Sequence, residues 1–224
     1  MKKSGYYLLV TASYVGLLMT VAGCQTQAIS STPATEPAST KTPSAAIQTS
    51  VQTSVQTAAQ QTLAQQAQRI QTALANGDYD RIITDIHPMR GVRFSMYAYV
   101  RPESDKVFSR AQFAQYLKEP KIRFTWGDLD GTGELLIIPL PTYLNTWVDA
   151  KKFNNSQMTV NHFESRGNMI NNVKNIYQHS DVVDFYYKGT DEYSGMDWRG
   201  MRLVFDDYQG QRYLVAIIND QWTV

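Results

Sequence analysis

The sequence predicts an α+β domain: an N-terminal helical hairpin packed on a bent, mostly antiparallel sheet that ends in a three-stranded meander. Three observations predict it. Apolar residues recur at spacings of three and four from Val55 to Leu74, the period of a helix. Alternating apolar runs begin at Val92, the period of a strand. The last three runs, Val182–Lys188, Trp198–Asp206 and Arg212–Ile218, follow closely, with Tyr208-Gln209-Gly210 as the hairpin turn between the last two. Helices first and a meander last is the element order of an α+β layout.

The first helix carries Val55, Ala59, Leu63, Ala67, Ile70 and Leu74 on one face and glutamines on the other. Asn76-Gly77 stops it, because glycine takes the left-handed conformation at a helix end without steric cost. Asp78 is placed to cap a second, short helix with Tyr79, Ile82, Ile83 and Ile86 as its apolar positions. Pro88 forbids its continuation. The tight Asn-Gly-Asp joint makes the pair a hairpin.

Val92, Phe94 and Met96 alternate with Arg93, Ser95 and Tyr97 as a first strand. Ser109 is placed to cap a helix through Lys118, with Ala111, Phe113, Tyr116 and Leu117 apolar. Ile122, Phe124 and Trp126 form a second strand, Gly127 to Gly133 a turn, and Leu135 to Leu140 a third strand. Pro141 suits the first turn of a helix bearing Tyr143, Leu144, Trp147 and Val148. Met158, Val160 and His162 mark another short strand, and Gly167-Asn168 precedes a helix with Met169, Ile170, Val173, Ile176 and Tyr177. Tyr213 to Ile218 is apolar almost throughout, which predicts a central strand covered on both faces.

From about residue 55 to 224, this order of elements is similar to the cone-shaped NTF2-like fold, in which N-terminal helices cover a strongly bent sheet. The opening Ala75-Asn76-Gly77-Asp78-Tyr79-Asp80 and the terminal hairpin carry the resemblance. The helices near 110, 143 and 170 depart from its simplest version. The resemblance implies a pocket beneath the helices.

The residues ahead of the domain have a different character. Met1-Lys2-Lys3 is basic, and the 17 residues from Tyr6 to Ala22 are mostly apolar, short of the roughly 20 that span a bilayer. Val21-Ala22-Gly23-Cys24 then resembles a bacterial lipobox, and Cys24 is the sole cysteine. That resemblance implies cleavage before Cys24 and lipidation of its sulfur, with the lipid bilayer as partner through the acyl chains. Gln25 follows where an aspartate would favour inner-membrane retention, so the resemblance permits the outer membrane in a Gram-negative cell. The sequence thus divides into a signal peptide at 1–23, lipidated Cys24 with a tether to 50, and a single globular domain at 51–224. The tether is rich in Ser, Thr, Pro and Gln and lacks aromatics, so it buries too little apolar area to offset its chain entropy.

Cleavage leaves 201 residues with a net charge close to −1. No basic excess points to nucleic acid. No second cysteine is present for an intrachain disulfide, so the core must supply the stability. No motif implies a cofactor.

Candidate chemistry is sparse. Asp128-Leu129-Asp130-Gly131-Thr132-Gly133 resembles the start of a calcium loop, with Asp128 and Asp130 as ligands, but Pro139 stands where a bidentate glutamate belongs. A hairpin or connecting turn built by Asp and Gly is the better reading of the segment. His87, His162 and His179 are scattered without ligand spacing. Alternation puts His162 on the face of Met158 and Val160, where it would line a cavity as acid or base with Asp220, or pack as a satisfied core histidine. Arg93 and Arg199 lie opposite their aromatic neighbours in the pleat, so in a cavity their guanidiniums would hold a carboxylate or phosphate. Otherwise the arginines of these two segments face water or pair with Asp184, Asp197 or Asp220. Tyr186, Tyr187, Tyr193, Met196 and Trp198 cluster around the loop from Gly189 to Asp197, a binding surface for sugars or peptides or a cap on the sheet edge. The sharpest expectation is one pocket bounded by Arg93, Tyr97, His162, Trp198 and Asp220.

Three functions remain open on these grounds: an envelope lipoprotein that binds an envelope component or small ligand, an enzyme with His162 and Asp220 as acid and base, and a structural envelope protein.

Overall fold

The computed structural model describes residues 62–163, 166–168 and 170–224. Cys24, the signal segment, the tether, the helical positions up to residue 61 and Met169 lie outside the described residues.

Helix α1 runs over 62–76, and its predicted face is the buried one: Leu63, Ala67, Ile70 and Leu74 are all sealed. Burying each large aliphatic stabilises by roughly 1.5–3 kcal/mol. Gly77 ends the helix at φ +77°, and the Asp78 N–H reaches back 2.9 Å to the Ala73 carbonyl. The second helix differs from expectation. Tyr79–Asp85 is a 3-10 turn, and the Asp78 side chain makes no capping bond. The adjacent β-branched Ile82 and Ile83 disfavour an α-helix, and Pro88 limits the segment to two turns. Asp85 instead ties it to α1, accepting two bonds from the Arg69 guanidinium at 2.9 and 2.5 Å.

Six strands form the main sheet. They are β1 (Val92–Ser95), β2 (Lys106–Phe108), β5 (Gln157–Val160), β6 (Asp181–Tyr187), β7 (Arg199–Tyr208) and β8 (Gln211–Gln221). The spatial order is β2-β1-β8-β7-β6-β5. Every pairing is antiparallel except that of β1 with β8. The α+β class, the mostly antiparallel sheet, the closing meander β6-β7-β8 and the central place of β8 are as the sequence predicts. Gln209 and Gly210 make the final hairpin turn, both with positive φ, as a tight turn between right-twisted strands requires. The β7–β8 register slips by one residue between Val204 and Phe205, a bulge of the kind that bends a sheet.

A separate hairpin joins β3 (Phe124–Asp128) to β4 (Leu135–Ile138). Helix α2 (Arg110–Lys118) starts at a capping box: the Gln112 N–H donates to Ser109 Oγ at 3.2 Å, and Gln112 Oε1 accepts from the Ser109 N–H at 3.0 Å. A short α-turn, α3 (Leu140–Tyr143), opens with Pro141 and runs into a π turn at Leu144–Val148.

The pleat divides the sheet residues between two faces. Val92, Phe94, Ile217, Met201, Leu203, Val183 and Phe185 point toward α1, α2 and the β3-β4 hairpin. Phe94 sits among Phe108, Phe113, Trp126 and Tyr143 with centroids 5.8–6.2 Å away. Trp126 stacks on Tyr143 at 3.7 Å. Such pairs add roughly 0.5–1.5 kcal/mol each beyond their burial. The Asn219 amide donates to the Ser95 carbonyl and to the Tyr143 hydroxyl, so the polar atoms there are used. The opposite face carries Val182, Val204, Ala216 and Ile218 under Val100, Val173 and Tyr177.

One strand was not foreseen, and two further expectations are corrected. β2 escaped the sequence pattern because three residues are too few to show a period. The helix expected after Gly167-Asn168 shrinks to α4 (Val173–Ile176), and Ile170 is exposed. The Asn172 side chain spends its amide on Val100 backbone, and Asn171 Oδ1 accepts from the Val173 N–H; such local bonds compete with helix. β5 ends at Val160, because Asn161 turns left-handed (φ +54°) and bonds to Val182 and Asp181. His162 therefore leaves the strand.

Candidate functional site

The structure does not gather the five residues expected to bound one pocket. His162 follows the Asn161 turn and is exposed, and its carbonyl accepts from Thr159 Oγ1. Asp220 is sealed at 1% exposure and accepts from Arg202 Nη2 at 2.9 Å. An exposed histidine beyond the end of β5 and a sealed carboxylate paired with Arg202 do not share an enclosed cavity, which corrects the acid–base expectation. Arg93 bonds to the Pro102 carbonyl at 3.2 Å and lies 3.9 Å from Asp105. Burial holds the Asp105 carboxyl above the usual range, against the pull of the Arg101 N–H and Arg93.

Tyr97 and Arg199 do come together, on the core side. Tyr97 meets Trp147 edge to face at 5.7 Å, and Arg199 Nη1 donates to the Trp147 carbonyl at 3.4 Å. Burial lowers the Arg199 pKa and raises that of Tyr97. The Tyr97 hydroxyl accepts the Asp130 N–H at 2.9 Å. Asp130 Oδ2 takes the Val224 N–H at 2.7 Å, and Asp128 pairs with Arg101 at 3.3 Å. The two candidate calcium ligands act instead as turn and ion-pair residues, and among the described residues no group of three or more His, Cys, Asp or Glu could hold a metal.

Trp198 points to the opposite face, beside Tyr186 at 6.3 Å. There the sheet holds an ionic cluster. Asp184 on β6 stands opposite Arg202 on β7, and Gly200 opposite Asp220 on β8. Arg202 Nε lies 3.1 Å from Asp184 Oδ1, and Arg166 Nη2 donates to Asp184 Oδ2 at 2.7 Å. The Arg166 guanidinium lies over the Tyr186 ring, 4.0 Å from its centroid. Burial pushes the Asp220 carboxyl up, with Arg202 pulling it back. Pairing of an arginine with Asp184 or Asp220 was legible; Arg166 was not, since it lies outside any periodic segment. The signal for the cluster was a charged residue inside each of two apolar runs, Val-Val-Asp-Phe and Met-Arg-Leu-Val.

The loop from Gly189 to Asp197 is braced from within. Asp197 Oδ1 accepts the Thr190 N–H at 2.7 Å, and the Gly195 N–H donates to the Thr190 carbonyl at 2.8 Å. The first bond holds the Asp197 carboxyl below the usual carboxylate range. Gly189 is irreplaceable here: φ is +81°, and a Cβ would stand 2.6 Å from Asp197 Oδ1 and 2.8 Å from the Gly195 carbonyl. Trp198 folds inward, while Tyr193 (54%) and Met196 (52%) stay exposed. The expected aromatic cluster therefore splits between an edge cap and a displayed tip.

Besides a small hollow of about 20 Å³ beside Tyr97, Asp105 and Trp126, two larger open concavities lie among the described residues. A groove of about 620 Å³ follows the outer side of α1 past Gln65, Arg69, Thr72 and Arg81. A cleft of about 460 Å³ lies by Arg90, His179, Ser180 and Asp206. Neither includes any of the five residues expected to form a pocket.

No known family matches the chain, and no curated protein does. A Xanthomonas campestris structure described as a calcium/calmodulin dependent protein kinase II association domain is similar in part. Identity is 13%, coverage is 71% of this chain and 84% of that one, and the TM-score is 0.30. At that score the likeness carries no argument about site or function.

Proposed function

We propose that this chain is a lipid-anchored envelope protein whose NTF2-like α+β domain recognises an envelope component through the loop from Thr190 to Asp197. The observation that carries the reading is the braced loop with an exposed Tyr193 and Met196 at its tip. A loop already fixed by internal bonds loses little entropy on binding, and tyrosine offers a large amphipathic contact with few rotors. The lipobox-like Val21-Ala22-Gly23-Cys24 supports the anchor, and the order of helices, sheet and terminal hairpin supports the NTF2-like assignment. Among the described residues no helix is long and apolar enough to cross a membrane.

Two variants of the full chain test the reading separately. Cys24→Ala is expected to abolish lipid labelling and membrane retention; an unchanged membrane fraction would sink the anchor. A photo-crosslinking residue at Tyr193 in intact cells is expected to give a discrete adduct that the same residue at Val107 does not. Identical adducts at both positions, or none at Tyr193, would refute the loop as the contact surface.

A further inference from the structure

The cluster on the outer face of the sheet has the chemistry of a guanidinium cage. Its floor is two carboxylates, Asp184 and Asp220, each 1% exposed. Arg202 fixes both from the side, with N–O distances of 3.1 and 2.9 Å, so their positions do not depend on Arg166. The Tyr186 ring forms one wall, and Trp198 stands next to it. Gly200 leaves the space open: a Cβ there would stand 3.1 Å from the Asp220 Cβ and 3.7 Å from Arg166 Nη1. Taken without Arg166, two carboxylates face one guanidinium, so a buried unit of negative charge asks for a cation. A planar cation stacked on an aromatic face and paired to a carboxylate is how arginine is bound, more than lysine.

Arg166 fills this place imperfectly. It enters from outside the strands with a partly exposed side chain (19%), whereas the other three are sealed. Its Nη1 and the Asp220 Oδ1 are both buried, and neither atom has a hydrogen-bond partner among the described residues. Arg166 thus pairs with Asp184 alone and leaves the second carboxylate of the floor with an unmet buried acceptor.

We propose that this cage is a guanidinium-binding site, that Arg166 is its resident occupant, and that the guanidinium of a ligand exchanges with it. The guanidinium belongs to a free small molecule or to an arginine side chain of a peptide. The site is distinct from the braced loop and does not rest on that reading.

The test is thermal unfolding of the full chain in detergent, as wild type, Arg166→Ala and Arg166→Ala/Asp184→Asn. The probes are methylguanidinium, the peptide Gly-Arg-Gly and urea, each at about 20 mM, where mass action on a millimolar site gives a shift of a few degrees. Methylguanidinium is expected to raise the melting temperature of Arg166→Ala saturably. It should leave the double variant unmoved and act on the wild type at least about tenfold more weakly, since Arg166 competes. A response to the peptide as well assigns the site to side chains, and a response to methylguanidinium alone assigns it to small molecules. Equal effects of methylguanidinium and urea, or equal response of single and double variants, would overturn the proposal. If Arg166→Ala is unfolded without ligand, recovery of near-ultraviolet dichroism on adding methylguanidinium supports it, and failure to recover overturns it.

Discussion

Arg202→Met would remove the cation that organises the outer-face cluster. Arg202 is fully buried, 2.9 Å from Asp220 and 3.1 Å from Asp184. In its absence Asp184 keeps Arg166 at 2.7 Å, so Asp220 becomes the orphan. Breaking a buried pair by removing one partner costs about 3–5 kcal/mol. For a domain of this size each kcal/mol shifts the melting temperature by about 2–4 °C, so the expected loss at pH 7.5 is roughly 6–20 °C. The sign of the pH dependence follows from Asp220. Burial already holds its carboxyl above the usual range, and removing Arg202 takes away the pull that lowers it. The folded state then takes up a proton more readily than the unfolded chain, so stability rises as the pH falls through the folded pKa. The deficit should shrink between pH 7.5 and pH 5, and adding Asp220→Asn should recover most of it. Thermal unfolding followed by circular dichroism measures all of this. A loss under about 2 °C at pH 7.5, or a deficit that grows on acidification, would refute the reasoning.

Other perturbations read the local arguments. Ser109→Ala removes half of the capping box on α2 and should cost about 1 kcal/mol, seen as a lower urea midpoint with an unchanged slope. Gly91→Ala should be far worse than Gly210→Ala. Both have positive φ, which costs roughly 1–2 kcal/mol for a residue with a Cβ, but only at Gly91 would that Cβ stand 2.4 Å from the Phe108 carbonyl. Equal urea midpoints for the two variants would refute that difference. Asp197→Ala should leave the melting temperature near that of the wild type while making the loop from Gly189 to Trp198 a site of limited proteolysis, since its brace to Thr190 is gone. A loop as resistant as before would show that the brace is dispensable.

What was legible in the sequence, and what was not, follows from the range of the forces involved. Leu63, Ala67, Ile70 and Leu74 repeat at the helical period because one face of α1 must be dry, and that face is the buried one. Ser109 and Gly77 act within four residues of themselves, so their roles could be read locally. β8 was legible as a central strand because both its faces are covered. Alternation also places a side chain on a face only while the strand lasts. The pattern Met158, Val160, His162 held through Val160 and failed at Asn161, whose side chain bonds to residues some 20 positions away. The expected pocket failed for a related reason: β1 ends at Ser95, so alternation does not carry from Arg93 to Tyr97, which packs against Trp147 on the core side while Trp198 and Asp220 lie on the opposite face. Trp198 and Arg199, neighbours in sequence, are likewise set on opposite faces by the pleat. Adjacent residues on a strand are therefore evidence for two environments, and the outer-face cluster illustrates the positive form of the rule. Gly200 and Arg202 share a face with each other, with Asp184 across one ladder and with Asp220 across the other. Two charges set two apart from a glycine or an aromatic, inside runs that must otherwise be buried, mark a site whose partners lie across the sheet. Arg166 completes the cluster from a segment with no period at all, and no spacing in the sequence could have placed it there.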